Sequence, residues 1–205
     1  AVFATNTSAL PITEMASILE DPGRMIGLHF FNPAHRMMLL EIICAQKTSD
    51  QTLATSVSFA RAIKKIPIVV NDGPGFYVSR QLGGLLGGAV YLTANGVDGA
   101  TIEAAMLDFG MPMGPATLAD LTGIDIGYHV GKTFEKRLGE RYKVHPLTEA
   151  IYQTGCYGRK TGAGYFDYSG DTPVPNPKIV EVVQKYHKDN GVTPREMSKE
   201  EITDA

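Results

Sequence analysis

A buried strand, a reversal and a second buried strand carrying a single acid constrain this chain more than any other feature of it. They lie in residues 24–41, RMIGLHFFNPAHRMMLLE. Met25, Ile26 and Leu28 give the first run the pattern of a buried strand, and His29 stands near its end. Asn32-Pro33 then breaks it in a tight turn, because the residue before proline is pushed out of helical geometry. The second run, Met37 to Ile43, holds Glu41 alone among apolar residues, and one reversal can bring it face to face with His29. An ionised carboxylate is costly to bury without a partner, and the imidazole is the natural candidate. A carboxylate that holds one ring nitrogen fixes the tautomer and leaves the other nitrogen free to take a proton. From spacing alone, a half-exposed histidine and an edge-strand acid are the commoner outcome for such residues.

Composition bounds the rest. With 205 residues, 43% of them hydrophobic and 20% charged, the chain can bury a core as one domain or two. A net charge of -3 and the lack of a basic cluster interleaved with aromatics argue against nucleic acid as a partner. Cys44 and Cys156 have no metal-ligand spacing, and His29, His35, His129, His145 and His187 form no metal motif. Two free thiols suit a reducing compartment.

The organisation reads as an α/β part followed by a helical one. Val2 to Asn6 is strand-like, and Thr5 to Ser8 crowd its end with polar groups, either at a ligand site or as a cap for a helix over residues 12–20. Thr48 with Gln51 reads as a capping box for a helix whose buried face is Leu53, Val57, Ala60 and Ile63. Ile66 to Val70 is a further strand, and Asn71 to Gly75 a linker. Three segments follow: residues 1–73, a helical region 74–190, and 191–205 as linker and helix start. The segment 76–94 holds Gly83, Gly84, Gly87 and Gly88; its uncharged run is shorter than the ~20 residues of a membrane span, so close approach of a neighbouring backbone is expected there. Asp98 should cap a helix to Phe109, Pro115 should open another, and Ser198 with Glu201 should start a last one.

Six strings in order, TNTSAL at 5–10, IGLHFFNP, LLEII, NDGPGFYVSR, GMPMGPATLADLTGID and GRKTGAGYFDY, closely resemble the 3-hydroxyacyl-CoA dehydrogenase family. The resemblance covers residues 2–168. It implies the C-terminal part of a Rossmann-like NAD-binding domain followed by the helical C-terminal domain of that family, and NAD-dependent oxidation of (3S)-hydroxyacyl-CoA to 3-ketoacyl-CoA in β-oxidation. His29 would be the general base and Glu41 its orienting partner, both catalytic; Ser8 and Ser79 would contact substrate, Ser79 standing where the family commonly has Asn. Asn6 and Asn32 would line the cofactor side. Lys160 would be a cofactor contact or a solvated loop charge. Implied partners are an acyl-CoA and a second copy of the chain, paired through the helical domain. A non-catalytic helical dimerisation module is the alternative, and it would not require His29, Glu41 and Ser8 together.

No Gly-rich dinucleotide turn precedes residue 71, and the chain opens without Met inside an apolar run. The expectation is therefore that the main NAD-binding half is absent. The chain then reads as a middle piece of a protein like the alpha subunits of fatty-acid oxidation complexes, inactive alone.

Overall fold

The computed structural model describes all of residues 1–205, and these divide into two compact units, Ala1–Gln81 and Leu82–Ala205. The first is built on a four-stranded sheet in the order β1 (Phe3–Thr5), β2 (Met25–Phe30), β3 (Leu39–Cys44), β4 (Ile66–Asn71). β1 runs parallel to β2, β2 antiparallel to β3, and β3 parallel to β4. β2 and β3 are buried along nearly their whole length, as their continuous apolar runs require. Alternation sends their side chains to two cores. Met25 and Ile43 pack with Ile12 and Ala16 of α1 (Ile12–Ala16), while Ile26, Leu28, Leu40 and Ile42 pack with Ala60 of α2 (Asp50–Ala62). Gly27 permits the first contact, since a Cβ there would stand 2.9 Å from Ile43 and 3.0 Å from Ile12.

Three local expectations change. The β2–β3 connection is not a tight turn but a loop over 31–38, held by Lys65, whose Nζ donates to the carbonyls of Met37 at 2.6 Å and Ala34. α1 stops at Ala16, and Thr5 to Ser8 do not cap it. Asp72, far along the chain, accepts from the backbone N–H of Ile12 and Thr13 at 3.1 and 2.7 Å. α2 is capped by Ser49 rather than Thr48, whose hydroxyl instead donates to the Met25 carbonyl at 2.7 Å.

The second unit is helical: most of α3 (Val78–Ala94), then α4 (Gly99–Phe109), α5 (Pro115–Thr122), α6 (Ile124–Leu138), α7 (Pro146–Tyr152), α8 (Pro177–Asn190) and α9 (Lys199–Asp204). Asp98 caps α4, Pro115 opens α5, and Ser198 with Glu201 forms the capping box of α9. A two-stranded ladder, β5 (Phe166–Asp167) with β6 (Val174–Pro175), has no counterpart in the sequence reading. The glycines of α3 do not meet a neighbouring backbone. A Cβ at Gly83 would touch the Phe134 ring at 3.1 Å, and one at Gly84, Gly87 or Gly88 would meet nothing within 4 Å. No helix is long and apolar enough to cross a membrane.

Asp120 organises the loop after α7. It is 1% exposed and accepts from Tyr165 N–H at 2.7 Å, Phe166 N–H at 2.9 Å and the Tyr168 hydroxyl at 2.9 Å. Gly158 and Gly164 pack directly on it, where a Cβ would come within 2.2 and 2.0 Å. Burial pushes its carboxyl above the ordinary aspartate value, outweighing the opposing pull of those three hydrogen bonds. A raised folded value means that this contribution to stability is fully present below the ordinary value and is lost as pH rises through the folded one. Asp120→Ala would strand three donors at about 1–3 kcal/mol for each group left unpaired. The urea midpoint at neutral pH should fall clearly, and that component of the acid-side pH dependence should vanish; an unchanged midpoint would refute the role given to Asp120.

Candidate active site

The register of the central antiparallel pair sets His29 directly opposite Glu41. Each is buried, at 6% and 0% exposure, and His29 Nδ1 lies 2.7 Å from Glu41 Oε2. The other carboxylate oxygen, Oε1, accepts from the backbone N–H groups of Tyr77 and Val78, both at 3.0 Å. These amides open α3, so Glu41 caps that helix from a strand and lies where the helix dipole favours negative charge. A carboxylate with three donors is adequately paired for burial. The imidazole is flanked by Phe31, ring centroids 4.5 Å apart, and by Phe76 at 5.9 Å in an edge contact.

Hydrogen bonding of this kind selects a tautomer. Glu41 as a carboxylate can only accept, so Nδ1 carries the proton and Nε2 of the neutral ring keeps a lone pair. The outcome is an oriented base with a fixed negative charge behind it, able to stabilise the imidazolium once a proton arrives.

The remaining residues singled out in the sequence divide between the units. Asn6 follows β1, and its Oδ1 accepts from Phe30 N–H at 3.1 Å, one residue past His29. This leaves its amide N–H groups as donors at the carboxyl end of the sheet. Asn32 is exposed just beyond the end of β2. Ser8 is half-buried after β1, and Ser79 is half-buried in the first turn of α3; neither is hydrogen-bonded to His29 or Glu41. Lys160 belongs to the second unit, where its ammonium pairs with Asp125 at 2.5 Å and lies 6.0 Å from the Tyr157 ring. Its pairing lowers the Asp125 carboxyl against the upward push of burial.

The residues that spacing did not reveal are Phe76, Tyr77 and Val78. Two of them act through main-chain N–H groups, which leave no mark in residue type. Phe76 carried one signal, a bulky aromatic directly after Gly-Pro-Gly, and the structure places it at φ 49°.

The same strings place the chain among known proteins. The NAD binding domain of the 3-hydroxyacyl-CoA dehydrogenases matches residues 1–73, and the C-terminal domain of that family matches residues 75–168. Against the alpha subunit of the fatty acid oxidation complex of Shewanella sp. (strain MR-4), identity is 42% over 177 residues, covering 86% of this chain and 25% of that protein. For the Shewanella loihica subunit it is 44% over 167 residues, 82% of this chain and 24% of that protein. The chain thus spans about a quarter of the length of these curated relatives. Among solved structures, (S)-3-hydroxybutyryl-CoA dehydrogenase of Ralstonia eutropha matches at a TM-score of 0.77 and 33% identity, over 82% of this chain and 61% of that one. The dehydrogenase part of a C. elegans multifunctional enzyme matches at a TM-score of 0.60 and 28% identity, over 98% and 45%.

One expectation is overturned by these matches. The main cofactor-binding half is not absent, because the NAD binding domain of the family lies on residues 1–73. The expectation rests on the missing Gly-rich turn and on the opening of the chain inside an apolar run, whereas residues 1–73 carry the sheet β1–β4 and its polar strand ends.

Replacing Glu41 with Gln tests the site. The amide oxygen can still accept from Tyr77 and Val78, but its NH₂ must donate to Nδ1, which moves the ring proton to Nε2 and removes the base. Turnover in Glu41→Gln should fall by roughly 10²- to 10⁴-fold with the fold retained, and a near-normal rate would exclude the orienting role. On its sequence and its fold, the chain is a member of the 3-hydroxyacyl-CoA dehydrogenase family, homologous to the dehydrogenase region of fatty acid oxidation complex alpha subunits.

Proposed function

We propose that this chain carries the dehydrogenase chemistry of β-oxidation, the NAD-dependent conversion of a (3S)-hydroxyacyl-CoA to the 3-ketoacyl-CoA. The observation that carries the reading is the buried His29–Glu41 pair, with one imidazole nitrogen held and the other bare. His29 Nε2 takes the proton of the C3 hydroxyl as the C3 hydrogen departs with its electron pair. NAD, when bound, supplies the acceptor for that hydride. Glu41 stays ionised, held by Tyr77 and Val78, and balances the imidazolium.

On the cofactor side, the donor set fits a carboxamide-bearing ring: Asn6 has its oxygen occupied and its NH₂ available, and Asn32 adds a second amide at the same end of the sheet. Both lie past the carboxyl ends of the parallel strands β1 and β2, β2 running three residues beyond the last pair Thr5–Gly27, and strand carboxyl ends are where open α/β sheets place ligands. Ser8 and Ser79 are assigned to the substrate. Lys160 is a cofactor candidate by the family resemblance alone, and within the second unit its ammonium pairs with Asp125 at 2.5 Å.

His29→Ala should reduce turnover by roughly 10²- to 10⁴-fold with little change in acyl-CoA affinity. Steady-state kinetics with a 3-hydroxyacyl-CoA decides it; a near-normal turnover number removes His29 from the mechanism.

The second unit also suggests self-association. Tyr91 of α3 is 61% exposed, and Leu107 and Phe109 of α4 are 47% and 69% exposed, while Gly84, Gly87 and Gly88 are open. Apolar surface of this kind is most often covered by a symmetric contact between identical patches. Light scattering at tens of micromolar should report a dimer, and a lone 22.1 kDa species would contradict pairing.

A further inference from the structure

Phe76 is a buried aromatic held in a backbone conformation that such residues avoid. Its φ is 49°, a left-handed value that among the non-glycine residues only Lys64 shares. For a bulky side chain this geometry is costly and persists only where the surroundings over-determine it. Here they do so from both sides. The preceding Gly75 is also left-handed, at φ 69°. The turn is closed by Phe76 N–H donating to the Gly73 carbonyl at 3.0 Å. It is braced by the Arg80 guanidinium, which donates to the Pro74 carbonyl at 3.2 and 3.3 Å. The ring, 4% exposed, is sunk among Ile12, Ala16, Met25 and Ile43.

Two consecutive left-handed residues turn the chain so that the Phe76 ring enters the core beside His29, while the next two amides point back at Glu41. The ring edge meets the imidazole at 5.9 Å and 62°, and Tyr77 and Val78 reach Glu41 Oε1 at 3.0 Å. We propose that Phe76 is a positioning residue for the His29–Glu41 pair, acting through its ring on the imidazole and through its backbone on the carboxylate. A carboxylate anchored by two main-chain donors cannot rotate to follow the imidazole, so the ring must be brought to it, and Phe76 is placed to do both. The proposal rests on the catalytic reading of His29, and it adds a residue that itself bears no reactive group.

The variant to make is Phe76→Leu, which keeps an apolar side chain unbranched at Cβ but loses the aromatic edge. Phe76→Met, adaptable in shape and close in volume, serves if the first does not fold. Two readouts are taken on the protein. The first is NMR of the His29 Nδ1–H proton, which a carboxylate partner shifts strongly downfield, together with the Tyr77 and Val78 amide protons. The second is kcat and KM for a 3-hydroxyacyl-CoA. The expected result is a folded variant in which these three resonances move or broaden, with kcat lowered about 10- to 100-fold, the scale of a small misplacement of a reacting group, and KM nearly constant. A folded variant with unshifted resonances and unaltered kcat would reduce Phe76 to core packing and overturn the proposal. Failure of the catalytic reading is distinguishable, because His29→Ala would then keep its turnover while the resonances of the pair still responded to Phe76.

Discussion

A carboxylate with no exposure to water holds this site together. Glu41 must be paired wherever it is buried, and it meets that demand with three donors from two segments: the imidazole on β2 and the two amides that open α3. Each bond has a separate consequence. The bond to His29 fixes which nitrogen is free, and the bonds to Tyr77 and Val78 fix the carboxylate itself. The acid thus serves helix and imidazole at once, and its removal would disturb the start of a 17-residue helix as well as the orientation of the His29 ring.

The same device recurs. Asp72 accepts from the successive amides of Ile12 and Thr13, Glu103 from Ala116 and Thr117, and Asp120 from Tyr165 and Phe166. In each case one carboxylate gathers two neighbouring N–H groups from a distant part of the chain. Helix starts and tight loops leave such amides without internal partners, and charge-assisted bonds to them are among the stronger ones available. Tertiary order here depends on acids placed at backbone ends as well as on apolar packing.

That dependence explains what could be read from the sequence. The His29–Glu41 pair was legible because a lone acid in an apolar strand calls for a partner and one reversal away stands an imidazole. Helix starts at Asp98, Pro115 and Ser198 were legible because each is marked locally, by a side-chain cap at Asp98 and Ser198 and by a first-turn proline at Pro115. The capping of α1 was not, because Asp72, which accepts from its first amides, lies some 60 residues on. Nor were Tyr77 and Val78, whose contribution is a main-chain N–H that any residue but proline could supply. The α3 glycines were misread as packing against backbone; only Gly83 has a close neighbour, and it is a side chain. The family match on residues 1–73 likewise showed that a missing phosphate turn is a poor guide to the presence of an NAD-binding domain.

The central claim is that Glu41 holds His29 as the Nδ1–H tautomer with Nε2 bare and ready to take a proton. Nitrogen-15 NMR of the histidine ring, at a pH where it is neutral, reads this directly. The account predicts a protonated, pyrrole-type Nδ1 and an unprotonated, pyridine-type Nε2 for His29. A proton on Nε2 in the neutral ring would contradict it, since the nitrogen assigned as base would then be a donor.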